Sequence, residues 1–163
     1  MIKGLHHNAY RCRDSELTRR FYEDFLGLPL TAAFRIDETK SGRKTQVLHS
    51  FYRLGDGSCL AFFEALDMPF EFKDQHDFDL HIALEVDRVT LDGMLTKGKA
   101  VGIETRGVSH HGFIDSIYFR DPNGYVIELT TPLPGHDDAL NPQRNGARET
   151  LSAWQREKSA GRP

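Results

Sequence analysis

The order of elements in this chain reads the same way twice, and a duplicated unit leaves few folds open. The first copy starts with Leu5-His6-His7-Asn8-Ala9-Tyr10, inside a segment from about 4 to 12 that reads as a β-strand. Asp14 then offers an N-cap to a helix carrying Leu17, Phe21, Phe25 and Leu26 near helical spacing, and Gly27 is a natural stop. Residues about 28–37 and 46–54 read as two strands joined by the polar loop Glu38 to Thr45. A tight turn through Gly55, Asp56 and Gly57 leads to a fourth strand from about Ser58 to Leu66. An acidic, Phe-containing connector, Met68 to Asp77, follows. The order then returns. Leu80 to Val86 is a strand, and Asp87 caps a helix to about Ala100 with Val89, Leu91, Met94 and Leu95 on its apolar side. A short strand surrounds Ile103, another runs from Phe113 to Phe119, and Asp121-Pro122-Asn123-Gly124 turns into a last strand, Tyr125 to Thr131, stopped by Pro132 and Pro134. The pattern is β-α-β-β-β twice with a period of roughly 70 residues. The fold class expected is α+β: two βαβββ modules, about 1–67 and 79–132, in one domain spanning 1–132. The tail, 133–163, breaks the repeat; Ala147 to Lys158 reads as a short amphipathic helix with Ala147, Leu151 and Trp154 on one side. Trp154 needs apolar cover, so the helix is expected to dock, on the parent domain or, as alternatives, on a second subunit or over the site.

The repeat gives three residues a meaning that none has alone. His7 and His81 occupy the same place, the first strand of each module, and Glu128 sits on the last strand of the second. Two neutral imidazoles and a carboxylate form a metal site with open positions, which serves chemistry on a bound small molecule rather than a structural staple. Aligning Gly124-Tyr125-Val126-Ile127-Glu128 with Gly57-Ser58-Cys59-Leu60-Ala61 sets Ala61 opposite Glu128. Alanine binds no metal, and Glu64, three positions on, points to the other face of a strand with a period of two. Three protein ligands are therefore expected.

Bulk properties remove several classes of function. The formal net charge is −3 and is not gathered into blocks, so neither a nucleic-acid groove nor an anionic membrane surface is indicated. Eleven Phe and five Tyr suffice to fill a core. The two cysteines, Cys12 and Cys59, make neither a disulfide framework nor a zinc ribbon and suit a reduced compartment. Met1-Ile2-Lys3-Gly4 runs directly into a strand without a signal peptide, and no apolar run reaches the length of a membrane span. A cytoplasmic protein is expected.

These residues resemble the vicinal oxygen chelate superfamily, which includes glyoxalase I, extradiol ring-cleavage dioxygenases, thiol-transferring fosfomycin resistance proteins and bleomycin-binding proteins. The resemblance covers about residues 4 to 132. It rests on the first-strand histidines, the phrase Phe21-Tyr22-Glu23-Asp24-Phe25-Leu26-Gly27-Leu28, and Asp121-Pro122-Asn123-Gly124 with Glu128. It implies paired βαβββ modules that form cupped mixed sheets around a divalent metal held by His7, His81 and Glu128. Val108-Ser109-His110, then Ile117-Tyr118-Phe119-Arg120-Asp121-Pro122-Asn123-Gly124 and Glu128, is similar to the extradiol dioxygenase signature. By that resemblance Glu128 binds Fe(II), and His110 and Tyr118 hold and polarise a catechol-like substrate; His111 is the alternative to His110, since the signature tolerates either spacing. Phe51, Phe62 and Phe63 are candidates for an apolar wall. The absent carboxylate at Ala61 departs from glyoxalase I. The residues near Ser58 depart from the dioxygenases, which carry an acid-base histidine there; His49 or His76 are the available substitutes. The implied activity is an Fe(II)-dependent extradiol-type dioxygenase acting with O2, as a homodimer whose ligands come from one chain or two. Other metal-dependent chemistry with Mn(II), Ni(II) or Zn(II) (thiol transfer, isomerisation, epimerisation, lyase) and a non-enzymatic small-molecule binder are the alternatives.

Overall fold

The computed structural model describes residues 1–74 and 76–161. The duplication becomes two four-stranded sheets. In the first, β1 (Tyr10–Arg11), β2 (Leu30–Glu38), β3 (Lys44–Arg53) and β4 (Cys59–Ala65) stand in the order β1-β4-β3-β2. In the second, β5 (His81–Glu85), β6 (Thr105–His110), β7 (Ile114–Arg120) and β8 (Val126–Pro132) stand in the matching order β5-β8-β7-β6. In each sheet the first strand pairs parallel with the last and the other pairings are antiparallel. This is the expected α+β fold of two βαβββ units.

Each crossover helix covers one face of its own sheet. α1 (Ser15–Arg19) is capped by the Asp14 carboxylate, which accepts from the Leu17 amide at 2.8 Å, and it continues as a π-helical turn, Arg20–Phe25. The buried residues of this helix are Thr18, Phe21, Tyr22 and Phe25; Leu17, expected on the apolar side, is exposed. α2 (Arg88–Ala100) is capped by Asp87. Its inward stripe is Leu91, Met94, Leu95 and Gly98, while Val89, also expected inward, is 82% exposed. In both helices the apolar residue nearest the start lies before the packed turn, so its position on the wheel does not bury it.

Two expected strands are shortened or moved, for local reasons. The first strand pairs with β4 at both ends, but Asn8 breaks the ladder because its side-chain Oδ1 takes the Ala61 amide at 3.0 Å. Only an isolated His7–Cys59 bridge and the short β1 remain regular. Ile103 does not centre a strand. It closes α2: the Gly102 amide donates to the Lys99 carbonyl and the Ile103 amide to the Gly98 carbonyl, with Gly102 at φ +74°. This is the paired bonding that ends many helices, and it uses up the residue that would have started the strand. The strand begins at Thr105 instead.

One continuous core joins the modules. Tyr22, Tyr52, Leu60 and Phe62 meet Leu91, Ile117, Phe119 and Ile127, and the Phe25 and Phe119 rings cross edge to face at 5.1 Å. A polar joint is set in this core. Asp121 is buried and accepts from the Tyr22 hydroxyl at 3.0 Å, from the Asn123 and Tyr125 amides at 2.9 and 2.8 Å, and from Asn123 Nδ2 at 2.9 Å. Asn123 reaches back to the first module, accepting from the Arg13 amide and donating to Thr18 Oγ1. Burial raises the Asp121 carboxyl above its ordinary pKa even though the donors pull it down. The Asp-Pro-Asn-Gly turn is thus a module joint as well as a turn.

The tail forms two helices, α3 (His136–Ala139) and α4 (Ala147–Ser159). α4 has the expected extent but buries none of its residues, and Trp154 is 59% exposed. Among the described residues the expected docking on the parent domain is not made. Among the described residues no helix is long and apolar enough to cross a membrane.

Candidate metal and substrate site

Register makes the repeat exact enough to compare positions. His7 pairs with Cys59 and His81 pairs with Val126, both in parallel. Two residues further along the last strand of each module stand Ala61 and Glu128, on the open face, opposite the one its crossover helix covers. Across the next strand, Phe51 pairs with Ala61 and Tyr118 pairs with Glu128. The same two positions therefore hold Ala and Phe in one module, Glu and Tyr in the other. Glu64 turns to the helix side, where its Oε2 accepts from the Ser15 amide at 2.8 Å, as the alternation requires.

The open face of the second module lines a cavity of about 450 Å³ that includes His81, Glu128, Tyr118, His111, Arg106 and Phe113. Glu128 is only 5% exposed, and its Oε2 lies 3.4 Å from His81 Nε2. The other imidazole nitrogen, Nδ1, is 3.0 Å from the Asp77 carbonyl. A carbonyl can only accept, so Nδ1 donates to it, and Nε2 is the nitrogen turned toward Glu128 and available to a metal ion. This outer hydrogen bond is the usual means of presenting a histidine to a metal. Two donors each about 2.1 Å from one ion lie roughly 3.0–3.4 Å apart at octahedral or tetrahedral angles, so the spacing of this pair fits a shared divalent ion. Such an ion would also balance a carboxylate that, among the described residues, has no Lys or Arg paired with it.

Tyr118 links this pair to His111. Its hydroxyl lies 3.3 Å from Glu128 Oε1 and 2.9 Å from His111 Nε2. Burial, and then the Glu128 charge, raise the Tyr118 pKa, so the hydroxyl stays protonated and can donate. His110 is directed elsewhere. Its Nδ1 lies 2.6 Å from Asp115 on the helix side of the sheet, and Asp115 also accepts from Arg88 of α2 at 2.6 Å. Alternation along the β6–β7 hairpin sends His110 and His111 to opposite faces, and His111 is the one in the cavity. Phe62 is likewise on the helix side, fully buried against Tyr22, and walls no site.

His7 stands apart from this cavity, on the open face of the first module. Its neighbours are His6, at 2.7 Å between Nδ1 atoms, and the rings of His49 and Phe51. Among the described residues no three His, Cys, Asp or Glu side chains converge to hold a metal ion. The first module's open face is apolar: Phe34, Phe51 and Phe63 surround His49, which stacks on Phe63 at 3.7 Å. Burial, then His7, lower the His49 pKa. Ser58 is tied to Asp56 through its amide and hydroxyl, and His76 lies on the connector against Phe78.

A family model described as the glyoxalase/bleomycin resistance protein/dioxygenase superfamily matches residues 4–129. The chain belongs to this superfamily. Solved structures of this fold agree, at identities that speak for the fold alone. A glyoxylase/bleomycin resistance protein/dioxygenase domain from Frankia sp. EAN1pec shares 17% identity at TM-score 0.67, over 82% of this chain and all of that one (100%). The fosfomycin resistance protein FosX from Listeria monocytogenes, solved with Mn(II) and sulfate, shares 20% identity at TM-score 0.62, over 84% and 98%. TnmS3, an antibiotic-binding protein from Streptomyces sp. CB03234, shares 22% identity at TM-score 0.58, over 81% and 98%. No curated protein matches the chain. The solved structures of this fold thus include one holding Mn(II) and one of an antibiotic-binding protein.

For this superfamily member, sequence reasoning missed Arg106 and Asp77. Arg106 belongs to the same cross-strand row as Tyr118 and Glu128, a register visible only once the strand was known to start at Thr105. Asp77 sits in an irregular connector, where no periodicity places a side chain.

Proposed function

We propose that this protein is a metal-dependent enzyme of the extradiol dioxygenase type, acting on a catechol-like small molecule with O2. A ferrous ion is held by His81 and Glu128 of one protomer and His7 of its partner in a homodimer. The observation that carries this reading is the His81–Glu128 pair, spaced and oriented for a common ion, with Tyr118 and His111 beside it. Two chains are invoked because His7 has the aromatic face of the first module around it and not the second module's cavity. Joining the two open faces closes the apolar wall of one protomer over the polar wall of the other.

When bound, the ion supplies Lewis acidity and a template for substrate and O2. The chain's own residues do the rest. The Tyr118 hydroxyl donates to a substrate oxygen. His111, 2.9 Å from that hydroxyl, exchanges the proton that the oxygen loses or regains. Phe51, Phe63 and Phe34 of the partner's first module exclude water from the ring. Protein carrying Fe(II) should consume O2 in the presence of catechols; no uptake across a broad panel of vicinal diols would refute the reading.

A second reading keeps the metal and changes the reaction to addition or isomerisation with Mn(II), Ni(II) or Zn(II). It is favoured by Ser58, where the dioxygenases carry an acid-base histidine, and by the Mn(II) of the Listeria neighbour. The metal found in protein purified without air separates the two: iron for the oxygenase, another ion for the alternative.

A further inference from the structure

Arg106, Tyr118 and Glu128 form one row across three neighbouring strands, β6, β7 and β8, all on the open face. At about 4.8 Å per strand the ends of the row are roughly 9.5 Å apart at the backbone, about the span of a substituted aromatic ring and its contacts. One end, Glu128 with His81, is the place for vicinal oxygens. The other end is a guanidinium, 49% exposed, lying over the Tyr118 ring at 5.6 Å. Its Nη2 donates to Asp77 at 2.7 Å, and Asp77 is also within 3.5 Å of Arg120. An ion pair this exposed holds its partners loosely, and Arg120 remains for Asp77 when Arg106 turns to a ligand.

Charge points the same way. The cavity lining has two carboxylates, Asp77 and Glu128, against one guanidinium, Arg106: one net negative charge. Behind it Arg120 stands between Glu104 at 3.1 Å and Asp77 at 3.5 Å, and Glu104 also faces Arg106 at 3.8 Å; the charges of Arg120 and Glu104 sum to zero. A divalent ion turns the lining to one net positive charge. A substrate with one permanent negative charge neutralises that.

We propose that the substrate is an aromatic vicinal diol bearing a carboxylate on the side of the ring away from the diol, and that Arg106 is the residue that selects it. The inference rests on the diol reading above. The fork of an arginine can take both carboxylate oxygens, which a lysine cannot.

The test compares binding of 3,4-dihydroxybenzoate and catechol to Mn(II)-loaded protein by titration calorimetry. Wild type should bind the carboxylate roughly tenfold to a hundredfold more tightly, the range for one charge-assisted hydrogen-bonded contact. Arg106→Met should bring the ratio to about one, and Arg106→Lys should leave it between. Asp77→Asn should raise the ratio, by roughly twofold to fivefold for a surface pair removed, since His81 is held by the Asp77 backbone and not its side chain. The Lys and Asn variants carry the test alone if the Met variant does not fold. Catechol binding without a preference for the carboxylate, or a preference that survives Arg106→Met, overturns the role of Arg106 and leaves the diol reading standing. If wild type binds neither compound, the diol reading fails and this inference falls with it.

Discussion

Replacing Tyr22 by Phe removes one oxygen from a fully buried position and tests the joint between the modules. The Tyr22 hydroxyl is one of four donors to Asp121, at 3.0 Å, and both residues are buried. A hydrogen bond to a charged group contributes about 1.5–3 kcal/mol. Three donors remain, so the lower end applies, about 1.5–2 kcal/mol. For a chain of this length each kcal/mol shifts the midpoint by about 2–4 °C, giving a fall of roughly 3–8 °C. The pH dependence has a definite sign. Burial raises the folded-state pKa of Asp121 above its unfolded value, so its ionised form costs stability at neutral pH and that cost is relieved as pH falls toward and below the folded pKa. The Tyr22 bond favours the ionised form, so Tyr22→Phe raises this pKa further. The gap between wild type and variant should be full at pH 7 and smaller near pH 4. Urea unfolding at the two pH values, followed by circular dichroism, measures it, and a single transition is expected because the joint lies within one core. A gap under about 0.5 kcal/mol at pH 7, or one that widens on acidification, would refute the assignment of Asp121 as the keystone of the joint.

Other outcomes follow from the same contacts. Gly124→Ala should destabilise by about 1–3 kcal/mol in thermal melts, because φ is +104° and a Cβ would meet the Phe72 ring at 2.9 Å. His111→Ala should lower kcat by roughly two to four decades, whereas His110→Ala should leave kcat within about threefold, since only His111 reaches Tyr118. Trp154→Ala should change the urea midpoint by no more than about 0.5 kcal/mol equivalent, since α4 buries nothing on the chain.

The architecture was readable because it is written twice. Period-two strands, capped helices and glycine turns each recur, and the recurrence alone fixes which residues are equivalent. His81 and Glu128 came out as neighbours for that reason, as did Ala61 opposite Glu128. What escaped the sequence was decided by single side chains acting on the backbone. Asn8 takes an amide from the β4 edge and shortens the first strand. Gly102 and Ile103 close a helix and push β6 two residues on. Strand alternation puts His110 and His111 on opposite faces, a difference that a motif tolerant of either spacing does not encode. His7 shows the other limit. A repeat says that two positions are equivalent, but not whether their open faces meet within one chain or between two.

The sharing of the site between protomers is the claim that a mixing experiment reaches most directly. His7→Ala and Glu128→Ala proteins are each expected to lose metal binding and activity. Unfolded together and refolded as a mixture, they should regain both, because a mixed dimer has one site with all three ligands intact and one with two missing. Random pairing makes half the dimers mixed, so about a quarter of the wild-type metal content and activity should return. If the three ligands met within one chain, every site in the mixture would lack a ligand, and mixing would restore nothing.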